Sequence, residues 1–128
     1  MRYLLDTNVV LRLLDDSHAI PPLVRAKLAA AGVEGWVSVV SLWEVEIKHR
    51  IGKLETSAPI VKAGVLASNL RLLPVADTHV LAHAGLAAPG PHRDPFDRML
   101  LAQALHEGLT LVTSDRRLAA YGVPVLPA

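Results

Sequence analysis

The chain reads as an α/β domain, a parallel β-sheet of about five strands sandwiched between α-helices, and two features of its patterning lead there. Its strand candidates are short, nearly continuous apolar runs, the composition of strands buried on both faces rather than on one. Helical patterns separate most of these runs, as the crossover connections of a parallel sheet require. One domain, residues 1–128, accounts for the whole chain.

The elements follow in order. Arg2–Leu5 is a strand that stops at Asp6, and Thr7 and Asn8 lead into helical spacing over Val9–Leu14. Asp15–His18 is a polar break. Pro21 and Pro22 stand where proline is best tolerated, in the first turn of a helix through Val24, Leu28 and Ala31 to Gly32. Trp36–Val39 is the second strand, and a helix from about Val40 to Arg50 carries Leu42, Trp43, Val45 and Ile47 and ends near Gly52. Pro59–Leu70 is helical, Leu72–Val75 is the third strand, and Asp77 or Thr78 caps a helix through Val80, Leu81 and Ala84. Ala87–Arg93, rich in Pro and Gly, is a loop. Pro95 starts the helix Phe96–His106, which Gly108 closes. Thr110–Thr113 is a strand, Arg116–Ala120 a short helix, and Pro124–Leu126 the last strand.

Composition narrows the chemistry. At 128 residues, 52% hydrophobic and 20% charged, the chain is long and apolar enough for an ordinary folded core and too hydrophobic for disorder. It has no cysteine, which excludes disulfides, thiolate metal sites and cysteine nucleophiles. No apolar run approaches the ~18 to 20 residues that a membrane span needs, and the N-terminal apolar stretch meets Asp6 too soon for a signal peptide, so a cytoplasmic location is expected. A net charge of +1 does not mark a nucleic-acid binder, so any electrostatic footprint is local.

Four acids fall at strand ends or helix starts: Asp6, Glu44, Asp97 and Asp115. Right-handed crossovers bring the C-terminal ends of parallel strands to one edge of the sheet, where such folds bind ligands at the reversal of strand order. Carboxylates crowded there are relieved by a raised pKa or by a hard cation. Mg²⁺ or Mn²⁺ suits an oxygen-only set on an open edge, and the implied chemistry is phosphoryl transfer. Each acid also has a structural reading. Asp6 is a helix cap, Ser41 and Glu44 have capping-box spacing, and Asp94, Pro95 and Asp97 read as N-cap, first-turn proline and third-position acid. Both readings hold together when a helix start displays its acid toward the cleft.

The motifs LLDTN at residues 4–8, SLWEVEIKHRIGKL at 41–54, DPFDRMLLAQA at 94–104 and LVTSD at 111–115 together resemble the PIN-domain family, and more narrowly its VapC-type toxins of bacterial toxin–antitoxin pairs. The resemblance spans nearly the whole chain. It implies a PIN fold in which Asp6, Glu44, Asp97 and Asp115 bind Mg²⁺ or Mn²⁺, with Asp94 either a cap or an outer-shell participant. It further implies endoribonuclease activity on RNA phosphodiesters by metal-activated water, a cognate VapB-type antitoxin and a homodimer. Thr7, Asn8, Thr113 and Ser114 flank the acids and can orient a metal-bound water or hydrogen-bond a phosphate, or cap helices instead.

Once four acids are assigned to a metal, the remaining charges leave an excess of five bases for a local rim. Lys48, Arg50, Lys53, Arg93, Arg98, Arg116 and Arg117 are its candidates, with Arg98 also able to pair with a neighbouring carboxylate. His79 and His83 are four apart but lack the Glu and third ligand of a zinc-hydrolase motif. Trp36 and Trp43 read as core or helix-packing anchors rather than base-stacking platforms, since aromatic residues make up only 4% of the chain. An aspartyl-phosphate phosphatase wants a second acid where Asn8 stands, and a receiver domain wants a late lysine that is missing after Lys62. The remaining alternative is a non-catalytic PIN-like binding module whose acids are structural.

Overall fold

The computed structural model describes residues 1–15, 17–86 and 94–128. The elements run β1 (Arg2–Leu5), α1 (Thr7–Asp15), a 3-10 turn (Ser17–Ala19), α2 (Pro22–Ala29), β2 (Glu34–Ser38), α3 (Val39–Arg50), α4 (Ala58–Ala67), β3 (Arg71–Leu73), α5 (Asp77–Ala84), α6 (Pro95–Glu107), β4 (Thr110–Thr113), a second 3-10 segment (Arg116–Tyr121) and β5 (Val125–Pro127). The expected loop Ala87–Arg93, and Asp16 within the expected polar break, lie outside the described residues.

The five strands form one all-parallel sheet in the order β3-β2-β1-β4-β5. The chain therefore builds outward from β1 through β2 to β3, then returns to the other side of β1 for β4 and β5. The reversal lies between β1 and β4, where Leu4 pairs with Leu111 and Leu5 with Val112.

Side chains that alternate along the strands feed two separate cores. Leu4 and Leu111 point into one, with Leu100, Leu101, Leu118 and Tyr121 above them. Tyr3, Leu5, Val37 and Val112 point into the other, with Val9, Val10, Val24, Val61 and Val65 of α1, α2 and α4. Helix α3 touches both, through Val40 and Val45. Burial on both faces is why the strands read as continuous apolar runs.

Element ends differ from the sequence reading at several points. Helix α2 stops at Ala29 rather than near Gly32, because Ala30 turns extended and Glu34 must already hydrogen-bond Met1 in the β1–β2 ladder. Strand β2 accordingly starts two residues earlier than Trp36 and ends at Ser38, which caps α3 by accepting the Val40 N–H at 3.0 Å. The capping box expected at Ser41 and Glu44 is thus one turn too late, and both residues lie inside α3. Helix α4 ends at Ala67, and Asn69 in the left-handed region turns the chain into β3, which Pro74 ends before Val75. Helix α5 takes Ala76 as its N-cap position, with His79 Nδ1 accepting the Ala76 N–H at 2.9 Å in place of a side-chain cap from Asp77 or Thr78. Pro95 opens α6 as expected, and Gly108 closes it at φ 67°, a conformation that costs glycine little.

Trp36 packs partly buried against the first core, as expected of an anchor. Trp43 is 61% exposed, because its position on α3 faces away from the sheet, and it meets Phe96 of α6 edge-to-face at 5.3 Å.

Leu111 has no exposed surface and sits in the central pair of strands. Leu111→Ala is expected to lower unfolding free energy by about 2–5 kcal/mol in urea titrations. Leu105→Ala, on the solvent side of α6, should change it by less than about 0.5 kcal/mol.

Candidate active site

The site grows from the end of β1. Asp6 continues the β1–β4 ladder by donating its N–H to Val112 O at 3.0 Å, which places its side chain at the reversal of strand order. There the carboxyl is 6% exposed and doubly engaged. Oδ1 accepts the Val9 N–H at 2.9 Å and caps α1, while Oδ2 accepts a short hydrogen bond from the Thr113 hydroxyl. Burial pushes the Asp6 carboxyl above its ordinary value. The Thr113 and Val9 hydrogen bonds and the Arg12 charge oppose that rise, and the Glu44 charge adds to it.

Thr113 ties two of the acids together. Its Oγ1 accepts the Asp115 N–H at 3.0 Å, so its own proton is free to go to Asp6. Asp115 follows in a half-buried position and caps the 3-10 segment, its Oδ1 accepting the Arg117 N–H at 3.0 Å. Arg117 also grips the same carboxylate with a fork, Nε to Oδ1 at 3.0 Å and Nη2 to Oδ2 at 2.8 Å. That bond, together with the Asp115 charge and more weakly the Asp97 charge, holds the exposed guanidinium protonated more firmly than usual.

Glu44 reaches the site from α3. It is 7% exposed, and its Oε2 accepts from Lys48 Nζ, one turn further along the helix, at 2.7 Å. Thr7, buried at the start of α1, donates its hydroxyl to Ser41 Oγ at 2.9 Å and so fixes α1 against α3. Asp97 stands half-buried in the first turn of α6. Asp94 is the N-cap of that helix, accepting the Phe96 N–H at 2.9 Å and the Asp97 N–H at 3.1 Å. Asn8 and Ser114 are exposed at the rim.

The fold thus links Asp6, Thr113 and Asp115 by hydrogen bonds, sets Glu44 within electrostatic reach of Asp6, and sets Asp97 and Asp115 around Arg117. Among the described residues, no three His, Asp or Glu side chains converge closely enough to hold an ion among themselves. In kind, the donors fit a hard divalent cation. They are all oxygens, and the buried Asp6 carboxylate meets a desolvation cost that its hydrogen bonds only partly offset.

The basic candidates divide. Lys48 and Arg117 are already engaged with acids of the set, and Arg50 lies 4.0 Å from Glu46 in an exposed pair. Arg98 stacks its guanidinium over Tyr121 at 5.5 Å. Lys53 and Arg116 are exposed, and Arg93 lies outside the described residues. His79 serves the fold: buried, it accepts from Ala76 through Nδ1 and bonds Glu107 through Nε2 at 2.9 Å, locking α5 to α6. Two contributors escaped the sequence reading. Ser41 had been read as a cap. Arg12 was not singled out by the sequence, yet its charge reaches Asp6, and its buried Nη2 meets no hydrogen-bond partner among the described residues. Only the packing of α1 reveals either.

The family model for the PIN domain matches residues 3–124. No curated protein sequence matches the chain. Among solved structures it is similar to VapBC2 from Rickettsia felis bound to a promoter DNA fragment, with 17% identity, a TM-score of 0.72 and coverage of 99% of this chain and 98% of that one. DNA-bound VapBC from Salmonella typhimurium gives 21% identity, a TM-score of 0.71 and coverage of 99% and 98%. VapC20 of Mycobacterium tuberculosis, described as a sarcin-ricin loop cleaving toxin, gives 18% identity, a TM-score of 0.65 and coverage of 98% and 99%. These likenesses are likenesses of fold, and they agree with the five-stranded parallel sheet. With the family model spanning all but the ends of the sequence, the chain belongs to the PIN-domain family.

Proposed function

We propose that this PIN domain is a divalent-metal-dependent endoribonuclease, the toxin of a VapBC-type toxin–antitoxin pair, that hydrolyses RNA phosphodiesters with metal-activated water. The observation that carries the reading is Asp6: a carboxyl buried at the strand-order reversal, oriented by Thr113, with Glu44 beside it. The family membership supports it, as do the VapBC complexes and the RNA-loop-cleaving toxin among the similar structures.

In this reading Asp6, Glu44, Asp97 and Asp115 hold Mg²⁺ or Mn²⁺. The bound ion supplies a water of lowered pKa and neutralises charge on the phosphate. The protein's own groups set the stage. Thr113 holds Asp6 and, through the Asp115 N–H, the start of the following turn. Thr7, locked to Ser41, keeps Glu44's helix in register with Asp6. Asp94 fixes the first turn of α6 and with it Asp97, as a cap rather than a ligand. Asn8 and Ser114, exposed at the rim, hydrogen-bond phosphate oxygens, and Lys48, Arg50, Lys53, Arg116 and Arg117 furnish positive charge for the RNA backbone. Arg98, stacked on Tyr121, is a weaker candidate.

The partners follow from the same reading. A VapB-type antitoxin has an apolar groove of about 790 Å³ between α1 and α4, lined by Leu11, Leu14, Ile60 and Val61 with Arg12 and Lys53 at its polar margin. A second copy of the chain has the exposed apolar face carrying Trp43, Val75 and Val80. Among the described residues no helix is long and apolar enough to cross a membrane, which suits a protein acting on cytoplasmic RNA.

Purified protein given RNA and Mn²⁺ is expected to cut it, and to stop on addition of EDTA. Asp6→Asn or Asp97→Asn should each lower the cleavage rate about 100-fold or more, with the far-UV circular dichroism unchanged. A binding module whose acids only cap helices leaves the RNA intact in all three proteins.

Asp6 also makes a stability prediction for the metal-free protein. Because burial raises its carboxyl above the ordinary 3.8, the native state keeps a proton that the unfolded chain gives up. Native stability is therefore unaffected by this group at lower pH and falls as pH climbs through the folded-state value. Asn keeps the helix cap and carries no charge. In EDTA, the melting temperature of Asp6→Asn should gain on wild type as pH rises from 4 through the folded-state value, and the gain should level off above it. A gain on acidification instead contradicts the burial argument.

A further inference from the structure

Lys48 occupies an unusual place for a surface base. Its ammonium lies 2.7 Å from Glu44 Oε2, and the Glu44 side chain is only 10% exposed while the Lys48 side chain is 39% exposed. The same helix offers an internal comparison one position pair further on. Arg50 and Glu46 have the identical i,i+4 spacing, yet stand 4.0 Å apart with 76% and 40% exposure, the geometry of a pair that water screens. The short contact at Glu44 has a cause beyond helix spacing. Glu44 is nearly buried, its charge adds to the cost of ionising Asp6, and Lys48 Nζ is the cation in direct contact with it. The Arg117 fork on Asp115 differs in kind: it holds both carboxylate oxygens and its own backbone N–H bonds the same group, so that cation is fixed. Lys48 holds a single oxygen through a flexible four-carbon stem, and its root lies one helical turn beyond the acid, toward solvent.

We propose that Lys48 is a transferable counter-ion: it occupies Glu44 in the metal-free protein, yields that carboxylate when a divalent cation enters, and carries its released ammonium to an RNA phosphate. The inference rests on the metal-dependent reading above and adds to it a role for a residue outside the acidic set. Divalent cation and ammonium cannot share Glu44 without repulsion, so the lysine competes with the ion in the resting protein. Once displaced, the stem lets the charge swing to the rim without disturbing α3, whose backbone contacts from Lys48 O to Lys53 and Leu54 N–H do not involve the side chain. The resting site is thus electrically relieved without metal, and entry of metal is coupled to the appearance of a phosphate-binding charge.

Titration calorimetry with Mn²⁺ and salt-dependent binding of a short phosphorothioate-substituted single-stranded RNA at saturating Mn²⁺ test the proposal on intact protein. Lys48→Met keeps the stem's bulk and removes the charge, and it is expected to bind Mn²⁺ about tenfold more tightly than wild type. Its RNA binding should weaken, with the slope of log affinity against log salt reduced by about 0.7, one phosphate's worth on a single strand. Lys48→Arg should restore the slope, and Lys62→Met, which removes an exposed charge on α4, should leave both constants at wild-type values. Unchanged or weaker Mn²⁺ binding in Lys48→Met overturns the proposal, because a lysine that merely positions Glu44 gives that result. Tighter Mn²⁺ binding with an unaltered salt slope overturns it too. If wild type takes up no Mn²⁺, all four titrations are flat, and the metal-dependent reading falls with it. Thermal melts of each variant confirm that the folded protein is being compared.

Discussion

The position of Asp6 constrains the rest of the molecule. Its amide completes the ladder to β4, its carboxyl caps α1, and its second oxygen takes the Thr113 hydroxyl, so three elements meet at one residue. A parallel sheet with β1 in its middle has one place where successive connections leave in opposite directions, and Asp6 stands there. Burying a carboxyl at that place is costly, and two hydrogen bonds and one guanidinium only partly offset the cost. A cap and a bridge to β4 could be supplied by an uncharged side chain, and the cost of a carboxyl there is what makes Asp6 the centre of the proposed function.

The acids at these helix starts do structural work with the same atoms that the proposed function assigns to the ion. Asp6, Asp94 and Asp115 each accept backbone N–H groups at a helix start. Capping restricts their rotamers and points them toward the edge without further cost. Glu44 escapes that duty because Ser38 caps α3 in its place, leaving Glu44 a full turn inside the helix and dependent on Lys48 for its balance of charge. The arrangement explains why the starts of α1, α6 and the second 3-10 segment carry acids, and why those acids are not interchangeable with the serine that caps α3.

Lys48 and Arg117 each pair directly with an acid of the set, and they have different characters. Arg117 is locked on Asp115 by a fork and a cap together, whereas Lys48 touches Glu44 at a single oxygen. A cluster of like charges can be balanced by metal, by protons or by the protein's own bases, and here the last two routes fall to separate residues. Asp6 leans toward its proton, Asp115 has its arginine, and Glu44 its lysine.

Much of this was legible in the order of residues alone. The apolar strand runs, Pro95 and Gly108 at the ends of α6, and Asp94 as its cap depend on chemistry within a few residues, so the sequence carries them directly. Periodicity and crossover geometry also sufficed to set Asp6 and Asp115 at strand ends and Asp97 in the first turn of α6, while the convergence of the four acids on one ion stays part of the proposed function. What tertiary structure decided are the terms set by distant neighbours. Strand pairing with β1 cut α2 short at Ala29 and moved the α3 cap from Ser41 to Ser38, since the ladder, not local propensity, chooses where β2 begins and ends. Helix orientation left Trp43 in solvent against Phe96. The Thr113 bridge between residues over a hundred positions apart, the reach of Arg12 to Asp6, and the pairing of the acids with Lys48 and Arg117 exist only once the sheet has closed around β1. Electrostatic energy depends on separation in space and on burial, and neither is written in the spacing of residues along the chain.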